Sequence, residues 1–259
     1  MNFKSAFVLG TPLTATTYGE FTVALQQLTK QSRPLAVDFS NTHIVALRRH
    51  DSNFRELTDS FDFFIPDGIP LIWCLNLQGM RLCGRVYGPA FMRHCVLNSP
   101  APFTHYFLGG SDECSRKLKE FFLKQNSPAQ IVGSRNGYFK PEQAKEIVDE
   151  INRLSPDFIW VGLGTPKQQE WIYKYKNQIG RGIILAVGFA FDVNAGTKPD
   201  APLWMQWLGL TWLFRVCSEP RRLAARYFKY NFIFLFYLLW DCLRGRAFEK
   251  TGAPAKQFD

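Results

Sequence analysis

The sequence predicts a doubly wound α/β fold on a mainly parallel sheet, and three observations predict it. Short apolar runs alternate with longer amphipathic ones through most of the 259 residues. Strands separated in this way by helices pair in parallel through crossover connections. A glycine-bearing loop follows nearly every apolar run. The composition, 46% hydrophobic and 20% charged, is that of a globular chain and excludes disorder and collagen-like repetition. A chain of this length buries roughly 70% of its unfolded surface, so disulfides are not needed to hold it.

The expected strands are 35–39, 61–65, 105–108, 129–132, 157–161 and 183–187. Between them lie helix-like segments 18–30, 43–57, 70–77, 113–124, 141–154 and 166–177. Pro70 and Pro141 stand in first turns, where a missing N–H costs nothing. Ligands bind at the carboxyl ends of such strands. The loops there read Pro66-Asp67-Gly68, Gly109-Gly110-Ser111, Gly133-Ser134-Arg135, Gly162-Leu163-Gly164 and Gly188-Phe189-Ala190. Glycine admits close approach of a ligand, and Gly109 and Gly110 ahead of a helix offer N–H groups to a phosphate. Each glycine alone equally well just ends a strand.

Residues 1–214 form the expected α/β core and 215–259 a basic, apolar appendage. The appendage region 215–250 carries eight Lys/Arg against three acids, so five of the nine excess positive charges lie there. Within it, 232–240 is a run of nine apolar or aromatic residues. About 20 are needed to span a bilayer. Cationic ends around an aromatic helix suit an interfacial, membrane-associating segment, each Lys or Arg contributing on the order of 1 kcal/mol near anionic lipid. A helix buried in the fold, or in a homo-oligomer interface, is the competing reading.

The net charge of +9 points to an anionic partner without choosing nucleic acid, phosphate or membrane. The six cysteines form no CxxC pair and no zinc spacing with histidine, which suits a reducing compartment. With no signal peptide legible at the N-terminus, the chain is expected in the cytoplasm. No Asp-x-Asp occurs, so the metal–diphosphate clamp of many sugar transferases is not expected, and neither a metal nor a cofactor is called for.

Asp67 is the first candidate for chemistry. It follows an apolar strand at the rim of the sheet, where partial desolvation raises a carboxylate toward the pKa of a general base. Pro-Asp-Gly alone is a common turn. Its company is more specific. In order come Asn41, Pro66-Asp67-Gly68, Arg85-Val86-Tyr87-Gly88, Gly137-Tyr138-Phe139, and Gly162-Leu163-Gly164-Thr165-Pro166-Lys167-Gln168. Then follow Phe191-Asp192, Ala195-Gly196, Ala201-Pro202, Trp212-Leu213-Phe214-Arg215 and Glu219-Pro220-Arg221-Arg222. This set resembles the WecG/TagA/CpsF family of bacterial glycosyltransferases (glycosyltransferase family 26), over roughly residues 10–227. That family includes N-acetylmannosaminyltransferases of wall teichoic acid and enterobacterial common antigen.

The resemblance implies a Rossmann-like, metal-independent, inverting enzyme. It would move a sugar from a UDP-sugar donor to a saccharide on polyprenyl diphosphate, in exopolysaccharide, teichoic acid or surface-antigen synthesis. Its place would be peripheral, on the cytoplasmic face of the bacterial inner membrane. By position Asp67 matches the proposed base and Asn41 an active-site Asn, while Arg85, Gln168, Arg215 and Arg222 match polar groups around phosphates and sugar. Inversion is one in-line displacement, so it needs a base for the acceptor hydroxyl and cations for the departing diphosphate, and arginine grips phosphate in a bidentate way. Four positions depart from the family: Phe39 for Thr, Gln169 for Glu, Thr211 for Glu and Ala225 for Arg.

Asp192 reads either as a helix cap or as a ribose contact. His43, His50, His94 and His105 form no spaced set and read as core or surface residues. Trp204, Trp207 and Trp212 read as packing, with an acceptor or lipid contact the alternative. A NAD(P)-dependent oxidoreductase would need G-x-G-x-x-G, but Gly162-Leu163-Gly164 is followed by Thr165, Pro166 and Lys167. A nucleic-acid binder is disfavoured because the charge concentrates beside an apolar segment and no binding motif is present.

Overall fold

In a computed structural model, residues 3–98, 102–125 and 127–245 are described. Among them eight strands form one sheet: β1 (Ser5–Val8), β2 (Thr11–Thr14), β3 (Leu35–Ser40), β4 (Phe63–Pro66), β5 (Thr104–Gly109), β6 (Gln130–Arg135), β7 (Phe158–Gly162) and β8 (Ile183–Ala186). Their order is β1-β2-β4-β3-β8-β7-β5-β6. All neighbouring pairs are parallel except the β1–β2 hairpin. The expected α/β class holds.

Side chains alternate across the sheet with period two, and each face has its own core. One face buries Ala36, Phe64, Leu108, Ile159, Val161 and Ile184. Against it pack α2 (Thr42–His50), α4 (Ile69–Leu77), α7 (Ala144–Leu154) and α8 (Lys167–Tyr175), through residues such as Val45, Leu75, Ile147 and Ile172. The other face buries Val37, Phe63, Phe107, Trp160 and Leu185. Here α1 (Tyr18–Leu28), α5 (Gly88–Leu97), α6 (Asp112–Leu123) and α9 (Ala190–Asn194) contribute Leu25, Phe91, Leu118 and Phe191. Central strands flanked on both faces read as continuous apolar runs, which is why they were legible.

The structure corrects several boundaries. The expected helix 43–57 is two, α2 and α3 (Ser52–Asp59). Asp51 sits between them in extended backbone, and its carboxylate accepts from the N–H groups of Asn53 and Phe54, capping α3. The hairpin β1–β2 and helix α5 add to the elements read from sequence. The hairpin turn puts Leu9 and Gly10 at positive φ, without the Asn-Gly signal that marks such turns. Helix α5 has Pro89 in its first turn, a start signal that was available.

After β8 the chain forms α10 (Leu203–Trp207), α11 (Thr211–Ser218) and the 24-residue α12 (Pro220–Leu243). One face of α12 lies along α2. Phe234 and Asp241 are buried on this side, Asn231 accepts from Thr42 Oγ1 at 3.1 Å, and Asp241 pairs with Arg49 at 3.3 Å. Tyr230 packs against His43 with ring centroids 4.3 Å apart. The opposite face exposes Phe228, Phe232, Leu235, Phe236, Leu239 and Leu243. The helix is therefore both a packed element and an apolar surface. Arg246 and Lys250 of the second basic cluster, and the rest of the appendage to 259, lie outside the described residues. Cys74, Cys95 and Cys114 are buried free thiols, and Cys83, Cys217 and Cys242 are exposed ones.

Candidate active site

The carboxyl ends of β3, β4 and β8 form the floor of a cavity of about 690 Å³. Backbone bonds register its residues. The Asp67 N–H donates to Ser40 O at 2.7 Å, and the Val86 N–H donates to Pro66 O at 3.0 Å, which sets Arg85 beside Asp67. Asn41 follows β3 and caps α2, its Oδ1 accepting from the N–H groups of His43 and Ile44. Its side chain is thus fixed at the cavity edge.

Asp67 has a side chain only 16% exposed, and its Oδ1 is buried without a hydrogen-bond partner. Burial pushes its carboxyl up to about 7, against the opposing pull of Arg85, the Gly88 N–H and Arg215, with Asp200 adding a smaller push upward. That value is near neutrality, where a carboxylate can both hold and release a proton. Arg85 makes only a long ion pair with it, with no hydrogen bond to the carboxylate. Its Nη1 donates to the Asp67 carbonyl oxygen at 3.1 Å and lies 3.9 Å from Oδ1, while Nη2 donates to Thr211 Oγ1 at 2.9 Å. Thr211 is one of the departures noted in the sequence. Here it serves as a neutral acceptor for Arg85.

Arg215 enters from α11. Its guanidinium lies 3.7 Å over the Phe189 ring, Nη1 donates to Tyr227 on α12 at 3.0 Å, and Nε is buried without a partner. Gln168 is buried at the start of α8, its Oε1 accepting from the Gly164 N–H at 3.2 Å. At Gly188, with φ +47, a Cβ would press on that oxygen at 3.2 Å. Asn41, Asp67, Arg85, Gln168 and Arg215 thus line one cavity. Its outer wall is apolar, with Trp73 and Leu77 from α4 facing Phe232 and Leu235 from α12.

Four residues named from sequence lie elsewhere. Gly109, at φ +152, allows β5 and β7 to approach, since a Cβ there would sit 2.6 Å from the Gly162 backbone. The Gly110 N–H is directed to Gly162 O at 3.3 Å, and its φ is +68. Asp192 accepts from Thr197 Oγ1 at 3.0 Å and lies 3.5 Å from Lys198. Arg222 makes a two-point pair with Glu219, both contacts 2.6 Å, and Lys198 joins Glu219 at 3.4 Å. These four charged side chains form a cluster outside the cavity lining. Four cavity or near-cavity groups carry roles that sequence reading did not assign: Tyr87, Thr211, Tyr227 and Asp200. Tyr87 and Thr211 lay inside or beside quoted motifs, but nothing in a linear string ties Asp200 to Tyr87.

Gln169, the other departure next to the site, is fully buried, and its amide donates to the buried carboxyl of Asp38 at 2.7 Å. A Glu in this place would set two carboxyl groups together. Asp38 is itself pushed up by burial and accepts from Ser40 Oγ at 2.5 Å.

Comparison with known sequences identifies the family. The profile of the Glycosyl transferase WecG/TagA/CpsF family matches residues 6–248. Among curated relatives is the N-acetylglucosaminyldiphosphoundecaprenol N-acetyl-beta-D-mannosaminyltransferase of Staphylococcus aureus strain MRSA252, 27% identical over 193 residues, covering 74% of this chain and 72% of the relative. The enzyme of the same name from strain NCTC 8325 aligns with the same identity and coverage. With that match spanning nearly all of the chain, sheet and cavity included, the protein belongs to the WecG/TagA/CpsF family and is a glycosyltransferase.

Proposed function

We propose that this glycosyltransferase moves a sugar from a UDP-sugar to a saccharide carried on polyprenyl diphosphate, with inversion and without a metal. One observation carries the reading. Two buried polar atoms of opposite charge, Asp67 Oδ1 and Arg215 Nε, lack partners in the same cavity. An unsatisfied buried group costs about 1–3 kcal/mol, so such atoms call for a ligand's donor and acceptor. Asp67 Oδ1 would take the proton of the acceptor hydroxyl as its oxygen bonds to C1 of the sugar, while the bond from C1 to the diphosphate oxygen breaks on the opposite face. Arg85 and Arg215 would neutralise the departing diphosphate. Asn41 and Gln168 would orient the sugar. Asp192, Arg222 and the Gly109-Gly110 loop, which lie outside this cavity lining, would reach the nucleotide only if it extends beyond the cavity.

The relatives' name specifies an N-acetylglucosamine unit on diphosphoundecaprenol as acceptor. A lipid acceptor of this kind suits an apolar cavity wall and an aromatic surface. Among the described residues no helix is long and apolar enough to cross a membrane. Peripheral docking at the cytoplasmic leaflet is the corresponding reading: Trp204 and Trp207 on α10 and Phe232 and Leu235 on α12 would enter the interface, with Trp207 76% exposed. The test is transfer from UDP-N-acetylmannosamine and other UDP-sugars to a short-chain lipid-diphosphate N-acetylglucosamine. Asp67→Asn is expected to lower kcat by roughly 10²-fold or more while donor affinity stays close to wild type. Wild-type turnover in that variant, or loss of turnover on chelation, would sink the proposal.

A further inference from the structure

We propose that Asp200 is a positioning residue for this reaction: through the ring of Tyr87 it holds Arg85 on the backbone of Asp67 and away from its carboxylate. The inference rests on Asp67 being the base. Asp200 lies in the segment between α9 and α10, distant in sequence from Tyr87, Arg85 and Asp67. Its Oδ1 accepts from the Tyr87 hydroxyl at 2.6 Å and from the Ala201 N–H at 2.8 Å, and its Oδ2 accepts from Gln206 Nε2 at 3.2 Å. The Tyr87 N–H, at the other end of that residue, donates to the Tyr18 hydroxyl at 2.8 Å. The residue is thereby held at its backbone by Tyr18 and at its hydroxyl by Asp200. It is the platform under Arg85, whose Cζ lies 4.1 Å from the ring centroid.

The consequence is a guanidinium with its directions already chosen. Its face is on Tyr87, one nitrogen is on the Asp67 carbonyl and another on Thr211. An arginine beside a carboxylate otherwise prefers a two-point pair, roughly twice as strong as a neutral hydrogen bond. Such a pair would occupy Oδ1 and favour the ionised form at the expense of its basicity. The 3.9 Å gap from Nη1 to Oδ1 is the geometric sign that the pair is withheld. The groups acting on Asp67 are Arg85, Arg215, Asp200 and the Gly88 N–H, and the Tyr18 and Tyr87 phenols feel its charge in turn. Asp200 therefore acts twice, through the ring and by direct repulsion.

Two variants separate these effects. Tyr87→Phe keeps the ring and the Asp200 charge but cuts the 2.6 Å bond, and Asp200→Asn removes the charge while keeping the side-chain size. The full chain is assayed for kcat and KM against pH, with UDP-N-acetylmannosamine and the short-chain lipid acceptor, beside Asp67→Asn. In both variants the acid limb of kcat/KM is expected to move down by about one pH unit, plateau kcat to fall roughly ten-fold, and donor KM to stay within about two-fold. If Tyr87→Phe reproduces the wild-type limb and plateau, the relay is overturned, whatever Asp200→Asn does. A wild-type acid limb in Asp67→Asn would instead overturn the base assignment itself, a result the other variants cannot mimic.

Discussion

Asp67 shows how one side chain can be poised by opposing terms. Desolvation outweighs two arginines, so the folded protein binds its proton more tightly than the unfolded chain does. A carboxyl raised in this way contributes its stability below the unfolded value, near 4, and loses it as pH rises through about 7. Asp67→Asn escapes that loss. Its melting temperature is therefore expected to match wild type near pH 4 and to exceed it progressively up to pH 8, with a ceiling of roughly 4 kcal/mol at about 1.4 kcal/mol per pH unit. Thermal unfolding across pH measures this without any substrate, and a difference that does not change with pH would remove the desolvation argument. The acidity of Asp67 was foreseeable from Pro66-Asp67-Gly68 at a strand end. Which arginine restrains it was not, because Arg85 is 18 residues away and Arg215 comes from another helix.

Helix α12 decides how the elements cooperate. Its inner face closes the α2 side of the core and its N-terminal half supplies Tyr227 to Arg215 and Phe228, Asn231 and Phe232 to the cavity. Phe234 is the buried anchor of that face, 3% exposed. Phe234→Ala is expected to cost about 3–5 kcal/mol, as large-to-small changes at packed aromatics do, and to lower activity beyond the stability loss by loosening the cavity wall. Chemical denaturation and initial rates on the same preparation test both halves. The strands and most helices were readable because period-two and period-3.6 patterns are local. The dual character of 220–243 was not, since an apolar run looks alike whether it meets α2 or water. The split at Asp51 was missed for a similar reason: α2 and α3 continue one amphipathic pattern, and only a capping carboxylate interrupts it.

At the scale of the whole molecule, the C-terminal segment combines exposed apolar side chains with an excess of positive charge. The exposed aromatics of α10 and α12 flank Arg221, Arg222, Arg226, Lys229 and Arg244, a composition suited to an anionic interface. Replacing Trp204 and Trp207 together by Ala is expected to reduce sedimentation with phosphatidylglycerol-containing vesicles by about five-fold or more, each interfacial tryptophan being worth about 1 kcal/mol or more. Transfer to a water-soluble acceptor analogue should change little. Unaltered vesicle binding would count against the proposed interfacial docking of this surface. The charge excess of 215–250 was legible from counting; that α4, α11 and α12 line one cavity required the fold, which brings them together from distant parts of the chain.

The three exposed thiols give the chain its own reporters. Cys83 stands two residues before Arg85, Cys217 two residues after Arg215 and Cys242 beside Asp241, while the remaining three cysteines are sealed in the core. Nitroxide or fluorophore labels at these natural sites would report, by pairwise spectroscopic ranging, whether the distances between the α4–α5 connection, α11 and α12 change during turnover, with no engineered handle required.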